Sequence, residues 1–295
     1  MREIRISALI VSLLVFASLF AGCGSSSGSG AAKESTSKES ASSASAGQEG
    51  IYKDGTYKAK YNMNDVRDWR AFVEITIKGG KIAGARYGYT NDKSEIRSEN
   101  KSYADGFKKA NKVTPKEVFA EFGNRLVKAQ DPAKIDVYTG ATHSSKNFKE
   151  LSASALENAK KGDAAEVIVP LYKDGIYKVE YDKFDSHGWK AQVELEVKDG
   201  KILNVKYDYI NKDGKLKSQD ADYKKNMEAV SKTYPEKYIK ELQDQLVNKQ
   251  LIARVDAITG ATDSSKNFKA LVEYALDEMA EKGDTSPKKI PLPKS

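Results

Sequence analysis

Phe72-Val73-Glu74-Ile75-Thr76-Ile77 alternates side-chain character, runs through Lys78 into Gly79-Gly80 and resumes at Lys81. Alternation on either side of a two-residue glycine turn predicts a β-hairpin with one buried face, because the turn needs positive φ and glycine adopts it without a Cβ clash. The arrangement returns at Val193-Glu194-Leu195-Glu196-Val197, with Asp199-Gly200 as the turn and a second strand from Lys201. The two hairpins stand 120 residues apart, and the same offset relates Tyr52-Lys53-Asp54-Gly55 to Tyr172-Lys173-Asp174-Gly175, Trp69 to Trp189, Pro115 to Pro235, and Leu126-Val127 to Leu246-Val247. The chain therefore reads as an ungapped tandem duplication of a module of about 110 residues.

Within each copy a helix follows the hairpin. Thr114-Pro115 supplies an N-cap and a first helical residue, and Val118, Phe119, Phe122 and Leu126 line one helical face. A short apolar segment around Ile135 and Val137 leads into Thr139-Gly140-Ala141-Thr142, and Ser144-Ser145 read as caps of a last helix carrying Phe148, Leu151 and Ala155. The predicted fold class is α+β: two tandem modules, each a twisted antiparallel sheet with packed helices, preceded by a disordered tether. The modules are expected at 51–163 and 174–284. Residues 164–173 form a linker in which Val167-Ile168-Val169-Pro170 suggests an extra strand, and 285–295 a disordered tail.

Composition narrows the chemistry. One Cys and two His among 295 residues cannot build an iron–sulfur cluster, a haem attachment pair or a Cys/His zinc cage, and no metal ligand set is assigned. The net charge of +7 comes from 49 basic and 42 acidic residues interleaved along the chain, which describes a solvated surface and no nucleic-acid partner. His143 and His187 lack partners at useful spacing and read as surface residues. No carboxylate pair argues for acid–base catalysis, so no catalytic residue is assigned and the chain is not expected to act as a stand-alone enzyme.

Arg2 and Arg5 precede an uncharged stretch from Ile6 to Ala21 that ends in Leu19-Phe20-Ala21-Gly22-Cys23. The stretch is shorter than the roughly 20 residues of a spanning helix, and small residues precede Cys23, as a secretory signal requires. The junction resembles the bacterial lipobox, with Phe20 where that motif usually has Leu. The resemblance implies a signal peptide over 1–22, a diacylglyceryl-bearing Cys23 as mature N-terminus, further acyl chains of the palmitate type, and a cell-membrane anchor on the extracytoplasmic face. Residues 23–50 are mainly Ser, Gly, Ala, Glu and Lys and lack the apolar surface to fold.

The copies diverge unevenly. Residues 54–135 share 26 of 82 positions with 174–255, whereas Asp136–Glu150 share 11 of 15 with Asp256–Ala270. A positive φ at Gly140 and a helix cap explain single positions, not the whole string Asp-x-x-Thr-Gly-Ala-Thr-x-Ser-Ser-Lys-Asn-Phe-Lys. The string resembles the flavinylation motif of the FMN-binding domain family, which also occurs in the sodium-pumping NADH:quinone reductase and Rnf-type complexes. In that family a flavin transferase moves FMN from FAD onto the last Thr as a phosphodiester, which here implies covalent FMN on Thr142 and Thr262. Asp136, Thr139, Gly140 and Ala141, with Asp256, Thr259, Gly260 and Ala261, complete the two cofactor loops. Asp136 and Asp256 fit transferase recognition or simple loop capping. Lys146 and Lys266 fit a phosphate counter-charge or exposed helical lysines.

With the lipobox, the tandem domains resemble surface FMN-binding lipoproteins of Gram-positive bacteria. That implies an electron carrier with two FMN groups, fed by a membrane NADH:quinone oxidoreductase or the quinone pool and discharging to an extracellular acceptor such as ferric iron. Covalency suits the address, since micromolar retention, about 8 kcal/mol, loses the cofactor to the exterior. Trp69, Trp189, Tyr87, Tyr89, Tyr207 and Tyr209 offer an aromatic shelf for the flavin ring or serve as core. Two rival readings are a ligand-binding or adhesive surface lipoprotein, and the precursor of a signal-peptide-derived pheromone.

Overall fold

The computed structural model of the protein describes residues 51–293. The expected signal peptide, Cys23 and tether lie outside the described residues. In the first module β1 (Gly55–Tyr61), β2 (Arg70–Lys78) and β3 (Lys81–Thr90) run antiparallel, and β4 (Val167–Val169) adds in parallel beside β1, giving the order β3-β2-β1-β4. In the second, β5 (Gly175–Tyr181), β6 (Lys190–Lys198), β7 (Lys201–Ile210) and β8 (Lys288–Ile290) repeat it as β7-β6-β5-β8. Helices α1 (Lys101–Asn111), α2 (Pro115–Ala129) and α3 (Thr142–Lys161) belong to the first copy, and α4 (Ala221–Ser231), α5 (Pro235–Lys249) and α6 (Thr262–Tyr274) to the second.

Two boundaries differ from the sequence expectation. The stretch 164–173, read as a linker with a suggested strand, contains β4 and so completes the first sheet. The stretch 285–295, expected as a disordered tail, contributes β8 to the second. Both strands are three residues long, too short for a periodic signal, and each occupies an edge of β1 or β5 whose N–H and C=O groups otherwise lack ladder partners.

The hairpins form as read. Gly79 and Gly80 take φ of 57° and 68°, and Asp199 and Gly200 take 51° and 66°. Asp54 accepts from the N–H groups of Gly79 and Gly80 at 2.9 and 2.8 Å, which explains why the Asp-Gly pair recurs with the turn. Helix α2 starts on the capping box of Thr114 and Glu117. Its apolar face meets β3 so closely at Gly123 that a Cβ there would overlap the Ala85 carbonyl oxygen. Val118, Phe122, Leu126, Phe148 and Leu151 are fully buried. Phe122 stacks on Phe148 at 5.3 Å between centroids, with Tyr87 edge-on to both.

The repeat is not ungapped to its end. Gly162 and Gly283 close the last helices with φ of 76° and 70°, beside Lys53 and Lys173 respectively. The lysines stand 120 residues apart and the glycines 121, so the second module carries one extra residue in its last helix. Where α3 stays α-helical to Lys161, α6 passes at Tyr274 into a π-helical stretch, Ala275–Ala280, which absorbs the insertion.

Candidate functional site

In both copies the shared string builds a loop and the first turns of a helix. Ala141 N–H donates to the Tyr138 carbonyl at 2.9 Å, turning the chain at Gly140, whose φ is 81°. A side chain at Gly140 would overlap Asn111 Oδ1, and one at Gly260, φ 79°, would press on Ser231. Both glycines are thus required by backbone conformation and by the close approach of the end of α1 or α4.

The serines do not cap as expected. The helices start one turn earlier, at Thr142 and Thr262, with Ala141 and Ala261 as N-caps and no side-chain cap bond. Ser145 Oγ instead accepts from Tyr138 N–H at 2.9 Å and donates to the Ala141 carbonyl at 2.9 Å. Ser265 does the same with Ile258 and Ala261. Each serine pins its loop from inside the helix. Asn147 accepts from Tyr61 and Asn267 from Tyr181, at 3.2 and 3.1 Å, while their amides donate to Tyr89 and Tyr209. Burial pushes the Tyr87, Tyr89, Tyr207 and Tyr209 hydroxyls above the usual phenol range, and Tyr181 up to about 12, so this network stays neutral.

Those tyrosines, with Trp189, are core residues and present no open shelf to a ring; Trp69 is partly buried. What the network leaves outside is informative. Thr142 and Thr262 are exposed at the first residue of α3 and α6, as are Thr139, Gly140, Thr259 and Gly260, while Ala141 and Ala261 are buried beneath them. Asp136 is exposed, and Asp256 pairs with Lys249 at 2.7 Å, which holds its carboxyl below the usual range.

A hydroxyl at the first helical position lies among first-turn N–H groups that have no intrahelical acceptor, where the helix dipole favours an anion. In the first copy a groove of about 520 Å³ opens at Thr142 and is lined by Lys146, Lys149, Lys173 and Lys282 together with Glu150 and Glu281; Lys173 pairs with Glu150 and Lys282 with Glu278. Lys146 Nζ donates to the Glu281 carbonyl and Lys149 Nζ to the Ile135 carbonyl, both at 2.8 Å. Neutral partners fix these ammonium groups while leaving their charge uncancelled, although burial lowers the pKa of Lys146. Lys146 is thus not a free helical lysine, whereas Lys266 is exposed and pairs with Asp263. Both threonines present an exposed hydroxyl at the first residue of a helix. A cavity of about 660 Å³ in the second module does not include Thr262.

The two copies meet beside Thr142. Arg67 makes a bidentate pair with Asp277 at 2.9 and 2.8 Å, and Arg254 reaches Asp68 and Asp92 at 2.9 and 2.7 Å. His143, expected on the surface, turns Nε2 to 3.0 Å from Glu281 Oε2 and 3.9 Å from Asp277 Oδ1. Burial alone would lower its pKa, but the Glu281 and Asp277 carboxylates outweigh it and hold the imidazole above its usual value; burial raises Glu281. Sequence reasoning missed this contact because both carboxylates come from the other module. His187 is exposed, as read.

The chain is similar to several known proteins. The sequence model of a family described as the FMN-binding domain matches residues 69–157 and 187–277. A "15 kDa lipoprotein" of Treponema pallidum (strain Nichols) is 44% identical over 111 residues, 38% of this chain and 78% of that protein. A crystal structure of a Clostridium perfringens protein is 41% identical, with a TM-score of 0.40, over 41% of this chain and 99% of its own. A solution structure of a Clostridium thermocellum protein is 26% identical, with a TM-score of 0.27, over 36% and 92%.

Proposed function

Because the chain belongs to the FMN-binding domain family, we propose that it is a lipid-anchored extracytoplasmic electron carrier with two FMN groups, one esterified to Thr142 Oγ and one to Thr262 Oγ. The observation that carries the reading is the placement of these hydroxyls. Among the shared hydroxyls of the first string, Ser144 and Ser145 are buried and hydrogen-bonded within the fold, while Thr139 and Thr142 are exposed, and of these two Thr142 stands at a helix N-terminus. Thr262 repeats the position.

When bound, FMN supplies reversible two-electron, two-proton redox chemistry. The chain's own residues do the holding. Thr142 and Thr262 provide the ester oxygen, the first turns of α3 and α6 offer N–H groups to the phosphate, and Lys146 and Lys149, held by carbonyl oxygens, add positive potential at the first site. Gly140 and Ala141, with Gly260 and Ala261, keep the loop narrow for the FAD-dependent transferase, and Asp136 and Asp256 offer it exposed carboxylates.

Similarity to a treponemal lipoprotein supports lipidation at Cys23. The anchor places the carrier beside a membrane NADH:quinone system, with an external acceptor such as ferric iron downstream. The test is to express the chain with the transferase and follow flavin absorbance during reduction by native membranes and reoxidation by ferric citrate. Flavin turnover lost in Thr142→Ala/Thr262→Ala but kept in Ser102→Ala, an exposed hydroxyl outside the string, supports the reading. Turnover that survives the double variant overturns it.

A further inference from the structure

We propose that His143, Asp277 and Glu281 form a divalent-cation site that joins the two modules. One imidazole nitrogen and a carboxylate oxygen from each acid lie within 4.8 Å of one another. A tetrahedral ion with ligands at about 2.1 Å separates neighbouring ligand atoms by about 3.4 Å. The measured separations from His143 Nε2, 3.0 Å to Glu281 and 3.9 Å to Asp277, bracket that value.

Two of the polar atoms here, Glu281 Oε1 and His143 Nε2, lack a hydrogen-bond partner. Glu281 is 3% exposed, and its Oε1 has no hydrogen-bond partner. His143 Nε2 is itself buried and, despite its proximity to Glu281, sits outside hydrogen-bonding geometry. Buried polar atoms without a hydrogen-bond partner are costly, and a cation bound between Glu281 and a neutral His143 removes the cost. Arg67 holds Asp277 through both oxygens, the outer partner that fixes a ligating carboxylate.

The cluster is also specific to this pairing of modules. The position of His143 is Asp263 in the second copy. Asp277 corresponds to Glu157 in the first and, after the one-residue insertion, Glu281 corresponds to Lys160. The π-helical stretch spans Asp277 and ends one residue before Glu281, so the inserted residue sets how these carboxylates face α3. One nitrogen and two carboxylates suit a first-row divalent cation such as Zn²⁺ or Mn²⁺. The Cys/His cages excluded by composition are a different ligand set.

The test is calorimetric titration of the mature chain with ZnCl₂, with thermal melting in parallel. The expected result is one ion per chain and a raised melting temperature, with affinity falling at least tenfold in His143→Ala and Glu281→Gln and unchanged in His187→Ala. Binding that ignores both variants, that depends on His187, or that is absent at millimolar zinc overturns the proposal. Should a variant fail to fold, zinc-edge X-ray absorption on the unmutated chain decides: a single imidazole with oxygen ligands supports the site, and an oxygen-only or multi-imidazole shell contradicts it.

Discussion

Gly162 and Gly283 end their helices in the same left-handed conformation against equivalent lysines, yet the chain between the lysines and the glycines is one residue longer in the second module. The residue is taken up as a π-helical stretch and leaves the helix end intact. The first module's α3 thereby meets an end of α6 that has no counterpart in its own copy, and Thr142 lies beside that junction while Thr262 does not. Two nearly identical acceptor strings therefore sit in different surroundings.

Restoring the shorter helix should separate these effects. A chain lacking Met279 keeps both sheets but returns Glu281 to the register of Lys160, away from His143. Circular dichroism should show the secondary structure retained, and scanning calorimetry should resolve two module transitions where the unmodified chain gives one.

The bidentate pair of Arg67 and Asp277 joins modules whose residues lie 210 positions apart. Arg67 is about half exposed, so solvent screens the pair and Arg67→Ala should cost about 1 kcal/mol, read as a lower midpoint in urea. Asp277→Ala should cost less, because the half-exposed Arg67 it leaves is solvated, whereas Arg67→Ala strands the more buried Asp277 carboxylate.

Gly140→Ala and Gly260→Ala should each destabilise by about 1–3 kcal/mol, since both need positive φ. The obstacle at Gly140 is a side chain, that of Asn111, whereas at Gly260 it includes the Ser231 carbonyl oxygen at 3.0 Å. Asn111→Ala should therefore recover part of the first loss. Ser231→Ala should recover little of the second. Thermal melts of the paired variants measure the difference.

Ser145→Ala and Ser265→Ala remove the hydroxyl that accepts from a loop N–H group. The expected cost is about 1–3 kcal/mol each, the usual penalty for an unsatisfied buried donor. The flavin content of each variant should fall at its own threonine, because the loop that presents it is no longer pinned.

Acid should loosen the module contact. The Arg254 guanidinium holds the Asp92 carboxyl below its ordinary value, so the pair stabilises fully above the unfolded carboxylate range, near pH 4, and is lost as pH falls through the lower folded value. Arg254→Ala should flatten the dependence of stability on pH below about 4. Urea midpoints measured from pH 6 to pH 3 supply the comparison.

The hairpins, α2 and the acceptor loop were legible because each is specified locally: glycines at a turn, a Thr-Pro start, a repeated string. Ser145 misled because a serine early in a helix is commonly a cap, and here its partner is the loop behind it. The edge strands β4 and β8 were too short to show a period. His143 gains its meaning from Asp277 and Glu281, more than 130 residues away, and no local pattern announces such a contact. A signal did exist in the spacing of Gly162-Asp163 and Gly283-Asp284, which runs at 121 and marks the insertion.

Intact and peptide mass spectrometry of the mature protein from its native membrane, with Thr142→Ala and Thr262→Ala beside it, tests the central claim most directly. Two FMN adducts are expected, each lost with its own threonine and independent of the other. An unmodified chain from a host that possesses the transferase, or adducts that persist when both threonines are replaced, would contradict it.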